Sequence, residues 1–72
     1  MSPFKPWKYY RHRNCIDIDI AILGAVKETD EGTEATVMYW NRHSKVFQGE
    51  AEKVMIVKKQ YPNWSELPED PA

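Results

Sequence analysis

Seventy-two residues, 42% of them apolar, make one domain at most, and a folded chain this short buries only about 60% of the surface its unfolded form exposes. Ten Lys and Arg against eleven Asp and Glu leave a formal charge of −1, which removes the simplest argument for a dedicated nucleic-acid binder or a membrane-surface protein. No apolar run nears the roughly 18 residues that span a bilayer, no leader pattern is present, and one cysteine, Cys15, cannot form an internal disulfide; a reducing, cytoplasmic setting is expected.

Charge is unevenly placed along the chain. Lys5, Lys8, Arg11 and Arg13 make the N-terminal segment basic, while Glu66, Glu69 and Asp70 make the last residues acidic. Met1 to Pro6 and Glu69 to Ala72 are expected to fray, leaving an ordered core over about residues 7–67 of a single β domain spanning 1–72. Trp7 to Arg13 alternate and predict a first strand ending near Asn14. In Cys15 to Ile22 isoleucine takes every second position, so Ile16, Ile18, Ile20 and Ile22 share one face and Cys15, Asp17, Asp19 and Ala21 the other. Gly24 predicts a bend or bulge before Ala25 to Glu28 continue that strand.

Thr29-Asp30-Glu31-Gly32 reads as a hairpin loop in which Gly32 takes a left-handed conformation. Thr33 to Trp40 form the next strand, with Ala35, Val37 and Tyr39 on one face and Thr36, Met38 and Trp40 on the other. Asn41 to Ser44 turn the chain into a short strand, Lys45 to Gln48, which Gly49 ends. Glu50 to Gln60 fit either a helix or a strand; the β-branched run Val54-Met55-Ile56-Val57 favours a strand. Pro62 to Pro68 predict one helical turn with Asn63 as N-cap, from which Trp64 and Leu67 plug one mouth of the fold. The sum is a mainly β chain: a small antiparallel, partly open barrel of about five strands with a short C-terminal helical turn.

Few groupings suggest chemistry. Asp17 and Asp19 on one strand face could bracket a divalent cation with a third oxygen, but alternating acids are what any solvated strand face carries, and that is the reading adopted. His12, Cys15 and His43 are too few for a four-ligand zinc site, so neither a metal nor a cofactor is expected. A Cys15 nucleophile with His12 or His43 as base and Asp17 or Asp19 as orienter lacks a supporting register, and the chain is read as a non-enzyme.

The basic aromatic stretch Phe4 to Arg13 is the feature that most invites a function. Rings and cations together fit a protein contact in which Tyr10, Tyr39 and Trp40, ringed by Arg42 and Lys45, form a compact centre of binding. The alternative is sequence-tolerant binding of single-stranded nucleic acid through Lys8, Arg11, Arg13 and His43. Some of these rings must fill the core, and pairing of the acidic tail with the basic strand would hide the patch. A free barrel edge also permits self-association.

The segments Tyr9-Tyr10-Arg11-His12-Arg13-Asn14-Cys15, Val37-Met38-Tyr39-Trp40-Asn41 and Pro62-Asn63-Trp64 resemble those of small uncharacterised proteins with an SH3-like barrel, several of them encoded by bacteriophages. The resemblance implies an SH3-like fold and supplies no catalytic residues. It further implies a virion part or a small protein that engages a host component.

Overall fold

A computed structural model describes residues 2–71. The chain is mainly β: β1 (Tyr9–His12), β2 (Ile18–Glu28), β3 (Gly32–Asn41), β4 (Val46–Val57), a 3-10 turn (Lys58–Asn63) and β5 (Trp64–Glu66). All neighbours are antiparallel, in one open sheet of order β4-β3-β2-β1-β5, so the first and last strands pair while β4 and β5 form the edges.

The strand count matches the alternation, but the membership differs. The expected separate strands around Val46 and Val54 are one continuous strand, which bends at Gly49 (φ 69°) where its register to β3 shifts. The fifth strand is instead Trp64–Glu66, where a helical turn was expected; the 3-10 turn ends at Asn63, just before it. Local capping logic loses here to pairing. The free edge of β1 takes Trp64, Ser65 and Glu66 opposite His12, Arg11 and Tyr10, and the Asn63 amide donates to Gln60 rather than capping a helix.

β2 begins at Ile18, so Cys15 and Ile16 lie outside it and Ile16 is 81% exposed. The expectation of four inward isoleucines is therefore corrected: Ile20 and Ile22 are buried, Ile18 is partly buried, and Ile16 faces water. The predicted bulge is present, with Gly24 at φ 71° and a register shift between Leu23 and Lys27. β1 starts two residues later than Trp7, which is exposed with a left-handed backbone (φ 63°).

The Thr29–Gly32 hairpin forms as expected, the Thr29 hydroxyl accepting from the backbone N–H of Glu31 and Gly32. Gly32 is needed for a different reason from the one expected. Its φ is not positive; a Cβ there would overlap the Ile56 carbonyl of β4, so only glycine lets the two strands approach.

One face of the sheet builds the core from Tyr10, Ile20, Ile22, Ala35, Val37 and Ile56, to which Phe4 is added. Phe4 is 3% exposed, and its ring meets Tyr10, Tyr61 and Trp64 edge-on at 4.8, 5.6 and 6.1 Å. Residues 2–6 thus form an arm across the open end of the sheet rather than a frayed end. The arm is held by the Lys5 N–H donating to the Tyr10 hydroxyl at 2.7 Å and by a hydroxyl chain from Ser2 through buried Thr33 to Tyr61. A sheet this small leaves one end of its core uncovered, and burying a large ring there is worth roughly 1.5–3 kcal/mol. Of the fraying expected over Met1 to Pro6 and Glu69 to Ala72, the parts at Met1 and Ala72 lie outside the described residues.

Candidate interaction surface

The other face of β2 carries Asp19 and Ala21, both buried, with Asp19 fully inaccessible. The solvated-face reading of Asp17 and Asp19 is thus corrected for Asp19. Register explains the change: Asp19 sits opposite Arg11 on β1 and Trp40 on β3, so neighbours on both sides lean over it. Arg11 grips the carboxylate with two hydrogen bonds of 3.0 and 3.1 Å. These bonds raise the guanidinium's pKa above its ordinary value. Arg42 Nε lies 3.2 Å from Asp19 Oδ1, an attraction without an aligned hydrogen bond, while its Nη2 donates to the Cys15 carbonyl at 2.6 Å. Asp17 is exposed, and its carbonyl accepts the Arg42 N–H at 2.7 Å.

Beside this clamp the rings stack. Trp40, 7% exposed, packs edge-on against Phe47 at 4.9 Å, and Tyr9 tilts over Phe47 at 6.4 Å. Burial and nearby Asp70 raise the Tyr9 pKa. The 42–45 turn is set by Asn41, whose side-chain oxygen accepts the N–H of His43 and Ser44, and Lys45 closes it at φ 58°. At this end of the sheet Ile16, Val46 and Phe47 are 81, 50 and 41% exposed, beside exposed Arg13, His43 and Lys45. The loop bearing Ile16 is tied to the turn through the two bonds between Arg42 and residues 15 and 17.

The expected binding cluster is therefore only partly assembled. Trp40, Arg42 and Lys45 come together, although Trp40 is a buried support and not an exposed ring. Tyr10 and Tyr39 point to the opposite face. Tyr10 is 2% exposed in the core, its pKa raised by burial. Tyr39 donates to the Glu52 carboxylate, and that bond with burial pushes its pKa up to about 12. Of the cations expected to meet nucleic acid, Arg11 is spent on Asp19, while Lys8, Arg13 and His43 stay exposed. The C-terminal segment meets the basic segment through Lys5 and Glu66, 3.8 Å apart, through the Leu67 N–H, which donates to the Tyr9 carbonyl at 2.9 Å, and through Asp70 beside Tyr9.

The core face holds a cavity of about 270 Å³ bordered by His12, Tyr39, Val54, Ile56, Gln60 and Trp64. His12 Nδ1 accepts the Asn14 N–H at 3.1 Å, which leaves Nε2 to donate to Gln60 Oε1 at 3.1 Å. Both ring nitrogens are thus engaged, and Cys15, exposed in its loop, meets His12 only through a backbone bond. Among the described residues no group of three His, Cys, Asp or Glu is placed to hold a metal ion. Among the described residues no helix is long and apolar enough to cross a membrane.

Sequence reasoning missed Phe47 and the role of Asp19. The Asn41-centred turn could have found the first, since a four-residue turn at 42–45 places Phe47 opposite Trp40. The chain matches no protein-family model, no curated protein and no solved structure.

Proposed function

We propose that the chain is a non-catalytic protein-interaction module whose contact surface is the end of the sheet formed by the 15–17 loop, the 42–45 turn and the start of β4. One observation carries this reading: among the described residues, three of the five exposed large apolar side chains, Ile16, Val46 and Phe47, lie at this end of the sheet together with exposed Arg13, His43 and Lys45. Apolar anchors beside fixed cations suit a partner with an apolar spot bordered by acids. Phe47 is braced from below by Trp40 and Tyr9, so little side-chain freedom is lost on binding.

The SH3-like resemblance belongs to the same proposal, supported by the pairing of first and last strands and by the 3-10 turn before the last one. With it comes a phage-type protein that engages a host or assembly partner in the cytoplasm, where the exposed free Cys15 stays reduced. The nucleic-acid alternative loses support because Arg11 is committed to a buried carboxylate.

Capture from cell lysate by the immobilised chain, with and without nuclease, tests the reading. A partner that survives nuclease and is lost by a folded Phe47→Ser, Lys45→Glu double variant is the expected result. Loss of every partner after nuclease, with a steep fall in binding as salt rises, would replace this reading with the nucleic-acid one.

A further inference from the structure

The outer edge of β4 is a second, independent surface. β4 ends the strand order, and among the described residues no backbone hydrogen bond is made to its outer side. Which backbone groups are free follows from the ladder. The Thr29 N–H donates to the Gly32 carbonyl, so Gly32 and Glu34 direct their peptide groups toward β2, and Thr33 and Ala35 direct theirs toward β4. Ile56 and Val54 answer Thr33 and Ala35, which leaves the N–H and C=O of Lys53, Met55 and Val57 facing outward.

We propose that this edge pairs antiparallel with the same edge of a second copy, about a two-fold axis through Met55. In that register Met55 opposes Met55, Lys53 opposes Val57, and all three sets of free peptide groups on each copy find partners. Val54 opposes Ile56 on the core face, and both border the cavity of that face. Both flanking charges are exposed, and Glu52 opposes Lys58 twice.

Charge selects this register. Centring the pair on Ala51 would oppose Glu50 to Glu52, and centring it on Glu52 would oppose Glu52 to itself, both repulsive. The run Val54 to Val57 is uncharged and proline-free, and centring the pair on Met55 sets no like charges opposite each other. Tyr39 already donates to one oxygen of Glu52, and the other remains for a lysine. So short a strand pair forms a small interface, and the association is weak and concentration-dependent.

Sedimentation velocity of the intact chain from about 10 μM to about 1 mM, which brackets weak self-association, should show monomer passing to dimer. Glu52→Lys and Lys58→Glu each place like charges at both crossings and should weaken dimerisation by about tenfold or more. Mixing the two folded variants restores both attractions, so the mixture should dimerise where neither does alone. A wild-type monomer across the range overturns the proposal, as does a dimer indifferent to both charge reversals or a mixture that stays monomeric. Because Phe47 and Lys45 are not involved in this pairing, the double variant that tests partner capture should dimerise normally.

Discussion

β2 is buried on both sides, and the two sides are closed by different means. Behind Ile20 and Ile22 lies an apolar core completed by Phe4 from the N-terminal arm. Behind Asp19 lies an ion cluster roofed by two arginines and flanked by Trp40 and Phe47. The apolar side tolerates no gap, because its stabilisation grows with the area removed from water. The polar side depends on pairing, because an unpartnered buried charge costs several kcal/mol. A small sheet can thus bury both faces of its central strand while leaving apolar side chains such as Ile16, Val46 and Phe47 exposed at one end.

Three changes would sharpen this contrast. The largest loss is expected for Phe4→Ala, about 3–5 kcal/mol in chemical denaturation, since it removes a ring that fills the core's open end. A loss near zero would mean that the arm is not part of the folded core. Asp19→Asn should cost about 3 kcal/mol, because it strands two guanidinium groups around a neutral amide. A variant as stable as the parent would show that the arginines find water instead.

The smallest effect belongs to Tyr39→Phe. The folded-state pKa of Tyr39 lies at about 12, above its ordinary value near 10, so the Glu52 bond contributes fully below pH 10 and is lost as pH rises toward 12. Wild type and Tyr39→Phe should therefore differ slightly at neutral pH and converge above pH 12, and ultraviolet titration should find one tyrosine ionising late.

How much of this was legible depended on whether the deciding contact was local. The alternation of Ile18, Ile20 and Ile22 marked a strand, Gly24 its bulge, and Asn41 its turn, since each acts within a few residues. Trp64 was misassigned because its strand exists only as an answer to β1, some fifty positions earlier. Asp19 looked solvated because nothing near it in sequence announces that Arg11 and Arg42 will converge on it. Phe4 looked frayed for a similar reason: Tyr10 is near it in sequence, but Tyr61 and Trp64, the other two rings that enclose it, are some sixty positions away. On the proposed surface Arg42 and Lys45 were foreseen, whereas Ile16 was expected in the core and its exposure follows from β2 starting late.

The N-terminal arm has a consequence for how the chain is made. Phe4 is made well before two of the rings that receive it, which arrive with residues 61 and 64, and β1 cannot acquire its second neighbour before residues 64–66 are translated. The β2-β3-β4 meander can assemble during synthesis, with its Ile20, Val37 and Ile56 side still uncovered. Final closure must wait until residues 61–66 have been made, and until then the nascent meander carries an uncovered apolar side.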